Sequence, residues 1–133
     1  MKALLDSTVL IDLIKGEEKA IKKIEEIKQT SVLYTTSINV FEILKGMKML
    51  ERNRDVHLNA FEVLKNNLII VNIDPLAAEY AAEIYADLRK KGSQINEGDY
   101  LIAGACLSND IKYIITRNEK HFREIKNLSV ITY

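Results

Sequence analysis

Short runs of consecutive apolar residues punctuate the chain: Ala3-Leu4-Leu5, Val32-Leu33-Tyr34, Leu68 to Ile73, Tyr113-Ile114-Ile115 and Val130-Ile131. Most are continuous rather than alternating, which is the pattern of strands covered on both faces. The segments between them carry apolar residues at helical spacing. Lys15 to Lys28 is charged, with Ile21, Ile24 and Ile27 recurring along it. Ile38 to Glu51 places Val40, Ile43, Leu44 and Met47 on one set of positions, and Ile38, Phe41 and Met49 on a second. The clearest predicted helix runs from Pro75 to Lys91. Asp74 serves as its N-cap, Pro75 as its first residue, Arg89-Lys90-Lys91 suit its negative end, and Gly92 suits a left-handed stop. Its apolar stripe of Ala77, Tyr80, Ala81, Ile84, Tyr85 and Leu88 reads as core packing. Tyr100 to Leu107 is apolar almost all round and predicts a buried helix.

The predicted order is β-α-α-β-α-α-β-α-α-β-β. Strands alternating with helices predict a three-layer α/β/α sandwich around a mainly parallel sheet of 4–5 strands. The chain is 133 residues long, with no repeat, low-complexity tract or Gly-rich linker, so residues 1–133 are expected to form a single domain. Met1 to Leu5 faintly suggests a leader, but Asp6 and Asp12 interrupt the apolar stretch. No segment is long and apolar enough to span a bilayer. The lone Cys106 lies in an apolar run and reads as a buried small side chain, consistent with a reducing, cytoplasmic setting. Lys+Arg and Asp+Glu are equal at 19 each, which excludes nucleic-acid binding through bulk positive charge but not through local patches.

Sheets of this class bind ligands beyond the carboxyl ends of their strands. Asp6-Ser7-Thr8 follows the first strand. Thr35-Thr36-Ser37 follows the second and leads into a helix holding Glu42. Thr116-Arg117-Asn118-Glu119 follows the fourth, and Asn96-Glu97-Gly98-Asp99 opens the buried helix. Each acid also has a structural reading. Asp6 suits an N-cap, Asp99 lies three residues after Asn96 as in a capping box, and Glu42 suits a surface pair with Lys45. His57 reads as a surface or half-buried helix residue; His121 follows the loop after the fourth strand, where it could touch a ligand, but reads more simply as an ordinary loop residue. Lys45, Lys48, Arg52 and Arg54 form a basic cluster suited to a phosphate backbone. Nucleotide-binding Gly-rich loops, a nucleophile elbow, a Ser/His/Asp set and a Cys/His zinc set are all missing. What remains is a group of carboxylates near one sheet edge. Such hard oxygen donors suit Mg2+ or Mn2+, ions that activate water and stabilise charge in phosphodiester hydrolysis.

The runs Leu4-Leu5-Asp6-Ser7-Thr8-Val9-Leu10-Ile11, Asn39-Val40-Phe41-Glu42-Ile43-Leu44, Gly98-Asp99-Tyr100-Leu101-Ile102-Ala103 and Ile114-Ile115-Thr116-Arg117-Asn118 with Phe122 stand in a characteristic order. In these motifs the chain resembles the PIN-domain family, and within it the VapC-type toxins, over essentially its whole length. The resemblance implies a divalent-metal-dependent endoribonuclease with Asp6, Glu42 and Asp99 as catalytic metal ligands for Mg2+ or Mn2+. It implies that Thr8 and Thr116 orient those ligands. Under this reading, Lys45 of the basic cluster and Arg117 after the fourth strand would contact the RNA phosphates. It further implies an RNA substrate, a small antitoxin partner and a homodimer. Many relatives carry a fourth acid where this chain has Asn118. The departure supports one ion more strongly than two, with Asn118 or Glu119 as a further ligand. Other readings are an RNA-maturation or DNA-processing nuclease of the same fold, and a non-catalytic protein-binding module.

Overall fold

Alternation along the first strand divides its side chains between two layers. Leu4 packs into a core with Ile84, Leu88, Tyr100, Ile102 and Phe122. Ala3 and Leu5 pack into a second core with Val9, Leu10, Ile24, Ile43 and Phe61. The period of two in a strand requires this split. The same split recurs at Ile114 and Ile115 on the neighbouring strand.

A computed structural model describes all 133 residues. The elements are β1 (Lys2–Leu5), α1 (Ser7–Lys15), α2 (Glu18–Ile27), β2 (Val32–Thr36), α3 (Ser37–Lys48), α4 (Arg54–Lys65), β3 (Ile69–Val71), α5 (Pro75–Lys90), α6 (Glu97–Ser108), β4 (Tyr113–Ile115), α7 (Glu119–Phe122) and β5 (Ser129–Ile131). The five strands form one sheet in the order β3-β2-β1-β4-β5, with every pairing parallel. α1 to α4 cover one face and α5 to α7 the other, giving the expected α/β/α layering. The element order differs from expectation only by the one-turn helix α7. No helix is long and apolar enough to cross a membrane.

Local chemistry sets the element ends. The Asp74 carboxylate accepts from the Ala77 N–H at 2.8 Å, and Pro75 opens α5. Gly92 takes φ +76° just beyond that helix, a conformation open to glycine at little cost. α6 is buried along most of its length and packs tightly on α5.

Two expectations are corrected. Tyr80 and Tyr85 are 41% and 43% exposed, so only Ala77, Ala81, Ile84 and Leu88 form the buried stripe of α5. The Tyr85 ring instead meets Tyr100 edge-on, with centroids 5.3 Å apart. Ile69 and Ile70 of β3 are also exposed, because β3 is a three-residue strand at the edge of the sheet.

The chain grows outward from β1 in both directions. β2 and β3 add on one side, and β4 and β5 on the other. The carboxyl ends of β1 and β4 therefore flank the point where the winding reverses, where parallel sheets open a crevice.

Candidate active site

Asp6 stands at that crevice. Its backbone N–H donates to the Ile115 carbonyl at 3.0 Å, which extends the β1–β4 pairing by one residue. Its backbone occupies the N-cap position of α1, yet its side chain makes no capping hydrogen bond. The carboxylate turns inward instead. Oδ1 accepts from Asn39 Nδ2 at 3.1 Å, and Oδ2 accepts from the Thr116 hydroxyl at 2.7 Å. The residue is 3% exposed. Burial drives its pKa up, against the pull of these donors and of the nearby His121 charge.

Asn39 links Asp6 to Glu42. Thr36 and Asn39 form a capping box at the start of α3. The Thr36 hydroxyl accepts from the Asn39 backbone N–H and donates to Asn39 Oδ1 at 2.7 Å. With its oxygen engaged, the amide is oriented so that Nδ2 donates to both Asp6 and the Ser7 hydroxyl, the latter at 2.9 Å. Ser7 in turn donates to Glu42 Oε1 at 3.0 Å. The donors thus run one way, from Thr36 through Asn39 and Ser7, and end on two carboxylates. Burial raises the Glu42 pKa; the Asp6 and Asp99 charges raise it further, while Ser7 and Lys45 lower it. Glu42 therefore turns toward the acids rather than forming an ion pair with Lys45, whose ammonium lies 5.2 Å from the centre of the Phe41 ring.

Asp99 occupies the third position of α6. The Asn96 side chain makes no cap, so the capping box is not formed. The Asp99 carboxylate instead meets His121 across α7, with Oδ2 2.7 Å from Nδ1. Burial raises the Asp99 pKa first and the Asp6 charge second, while His121 opposes both.

Asp6, Glu42 and Asp99 thus come within electrostatic reach of one another, and burial is the largest cause of the shift at each. No three His, Cys, Asp or Glu side chains close into a finished metal cage. The donor set nevertheless fits a hard cation. Its members are oxygen acids, partly desolvated and mutually repelling, and a divalent ion removes that repulsion. Glu42 Oε2 and Asp99 Oδ1 make no hydrogen bond within the chain, so each keeps an oxygen for a ligand.

The other expected residues fall into distinct places. Thr116 touches Asp6 directly, and Thr8 lies behind it with its hydroxyl 3.3 Å from that of Thr116. Thr8 also accepts from the Arg117 N–H at 3.0 Å. The Arg117 side chain turns to Asp12, with Nε 2.8 Å from Oδ2. Asn118 uses its backbone N–H on the Thr116 hydroxyl at 2.9 Å, and its side chain makes no hydrogen bond to the acids. The Glu119 side chain makes none to them either. Sequence reasoning missed Ser7 and Asn39 as site residues and treated His121 as ordinary. The Thr36-to-Asn39 capping spacing was the one available signal for Asn39. The largest cavity, about 760 Å3, lies elsewhere, between Ile21, Ile24, Leu33, Leu64 and Leu68. It is an apolar recess without carboxylates in a cluster, so the chemistry and not the volume locates the site. A smaller apolar groove of about 200 Å3, lined by Ile11, Ile14, Met47 and Leu50, reaches Glu42.

Residues 3–128 match the family model of the PIN domain. The chain is 29% identical over 132 residues to a protein named ribonuclease VapC1 of Methanocaldococcus jannaschii, covering 99% of this chain and 87% of that one. It is 25% identical to a tRNA(fMet)-specific endonuclease VapC of Shigella flexneri, covering 96% and 95% respectively. A solved complex, VapBC2 of Rickettsia felis bound to a DNA fragment from its promoter, contains a chain that superposes with a TM-score of 0.89 at 21% identity, covering 100% of this chain and 99% of that chain.

Proposed function

The chain belongs to the PIN-domain family, and on that premise we propose that it is a divalent-metal-dependent endoribonuclease, the toxin of a VapBC-type toxin–antitoxin pair. Residues 1–133 act as one nuclease domain in this reading. The observation that carries it is the convergence of Asp6, Glu42 and Asp99 at the crevice beside β1 and β4, each carboxyl raised by burial and two of them by another's charge. The names of the relatives supply the substrate class, RNA.

Asp6, Glu42 and Asp99 would hold Mg2+ or Mn2+. When bound, such an ion activates water and stabilises the negative charge that develops as a phosphodiester is hydrolysed. The chain's own task is to keep the three acids ionised and correctly aimed. Asn39 and Thr116 fix both oxygens of Asp6, and Ser7 fixes one oxygen of Glu42. The α6 N-terminus favours the ionised form of Asp99. Thr8 steadies the loop carrying Thr116 and Arg117. Lys45, close enough to Glu42 to favour its charge, and Arg117 on the loop after β4 offer cations to the substrate phosphates. A small antitoxin that covers the crevice, a homodimeric assembly and a cytoplasmic location complete the proposal. Several solved neighbours are VapBC structures, and one from Klebsiella pneumoniae is a toxin–antitoxin complex.

The test compares RNA cleavage by wild type and Asp99→Asn with Mg2+, with Mn2+ and with chelator, starting from a tRNA pool. Cleavage should require metal and fall at least about 100-fold in the variant. Metal-independent cleavage, or an equally active variant, overturns the mechanism. Growth arrest on expression should disappear with the same substitution, and arrest that persists would refute the link between toxicity and this site.

A further inference from the structure

His121 makes the shortest contact to any of the three acids apart from the Thr116 hydroxyl on Asp6. Its placement is well defined. α7 is a single turn, anchored by Phe122, which is fully buried in the core that holds Tyr100 and Ile102 of α6. The His121 backbone N–H donates to the Asn118 carbonyl at 3.0 Å. The Asn118 N–H in turn donates to the Thr116 hydroxyl, which holds Asp6. One loop after β4 therefore reaches two of the acids, Asp6 through Thr116 and Asp99 through His121.

The direction of the His121 contact follows from the chemistry. An Asp99 that binds a cation is ionised and can only accept, so the proton lies on Nδ1. Oδ2 is then occupied by an N–H donor, and only Oδ1 remains open. Asn118 brings no charge to the loop. Both oxygens of Asp6 accept from Asn39 and Thr116, and Oε1 of Glu42 accepts from Ser7, so Glu42 Oε2 and Asp99 Oδ1 are the acid oxygens free of hydrogen bonds, a set suited to one shared cation.

We propose that His121 is a positioning residue that holds Asp99 through Oδ2, leaving one oxygen for the cation, and that the crevice consequently takes a single divalent ion. The inference rests on the reading of Asp6, Glu42 and Asp99 as cation ligands. Its test needs neither RNA nor turnover: Mn2+ is titrated into the intact chain by calorimetry and by electron paramagnetic resonance. Wild type should bind one Mn2+ per chain. His121→Ala should bind it about 10- to 100-fold more weakly, the usual effect of losing a group that orients a ligand. His121→Asn places an N–H near the Nδ1 position and should bind within a few-fold of wild type. His121→Gln reaches beyond that position and should bind as weakly as the Ala variant. Circular dichroism melts confirm that each variant is folded, and the half-exposed position of His121 makes that the expected result. Two Mn2+ of comparable affinity in wild type, or equal affinities across the Ala, Asn and Gln variants, overturn the inference. Absence of Mn2+ binding in wild type overturns the cation reading itself, a distinct result.

Discussion

Asn39 on α3 donates its side-chain amide to Oδ1 of Asp6, 33 residues earlier in the chain and 3.1 Å away. The same amide nitrogen serves Ser7, and the same side-chain oxygen closes the capping box with Thr36. One fully buried amide therefore fixes the start of α3 and two residues of the crevice together.

Replacing Asn39 with Ala should lower stability by about 2–3 kcal/mol, because it removes the return half of the capping box, leaving the Thr36 N–H without its acceptor, and strips a buried carboxylate of a donor. Asn39→Asp should be more harmful in the absence of metal, since it sets a carboxylate where Asp6 needs a donor. Urea unfolding with and without Mn2+ checks both. A loss under about 0.5 kcal/mol for the Ala variant would mean that the amide is not structurally coupled to the site.

The raised carboxyl groups predict how metal-free stability depends on pH. Asp6, Glu42 and Asp99 each hold protons more readily when folded than when unfolded. Their contribution is therefore complete below the ordinary carboxylate range and is lost as pH climbs through their raised folded values. Above those values the three charges oppose folding. In chelator, Asp99→Asn should consequently be more stable than wild type at neutral pH, by roughly 1 kcal/mol, and the two should converge on acidification. Melting curves taken from about pH 3 to pH 8 test both the sign and the convergence. A variant less stable than wild type at neutral pH would show that the His121 contact outweighs the repulsion.

Adding metal should reverse that opposition. An ion bound only by the folded chain stabilises it by mass action, by about 2.7 kcal/mol at roughly a hundredfold excess over Kd. The melting temperature of wild type should rise with Mn2+ and that of Asp99→Asn should rise much less. Equal rises in both proteins would place the bound ion away from Asp99.

Much of this arrangement was legible in the sequence. The five apolar runs located every strand, although burial explains the continuous pattern only at the central strands β1 and β4, and the edge strand β3 leaves Ile69 and Ile70 exposed. Asp6 stood out because it ends one of those runs. Three features were hidden. His121 is separated from Asp99 by 22 positions and the whole of β4, and no local pattern reports such a pair. Ser7 and Asn39 look like ordinary helix-start residues, and only the register of β1 against β2 aims them at one another. The stripe on α5 read wider than it is, since spacing gives the direction of a buried face but not its breadth. Tyr80 and Tyr85 lie at that margin and remain exposed.

Gly104 is where α6 meets α5 most closely. A Cβ there would sit 2.3 Å from the Ala77 carbonyl oxygen and 2.9 Å from the Ala81 Cβ. The nearest obstacle is backbone, which no side-chain rotation relieves. Gly104→Ala should therefore destabilise the chain by about 1–3 kcal/mol despite the better helix propensity of Ala. Because α6 carries Asp99, the variant should also bind Mn2+ more weakly. A variant as stable as wild type in urea would show that the helices separate without penalty.

Asp12 on α1 receives both Tyr133 and Arg117. The Tyr133 hydroxyl donates to Oδ2 at 2.5 Å and the Arg117 Nε lies 2.8 Å from the same oxygen. The pair is asymmetric, with the Asp12 side chain 11% exposed and that of Arg117 51% exposed. Removing the cation leaves a nearly buried carboxylate with one donor, whereas removing the acid leaves a guanidinium that water can solvate. Arg117→Ala should therefore cost about 2 kcal/mol and Asp12→Asn about 1 kcal/mol. Tyr133→Phe should fall near the smaller figure, because it removes one hydrogen bond and keeps the ring. The double variant Arg117→Ala with Asp12→Asn should be more stable than Arg117→Ala alone, since it relieves the uncompensated charge. Urea unfolding of the four proteins gives the cycle, and strict additivity would refute a direct coupling between Asp12 and Arg117.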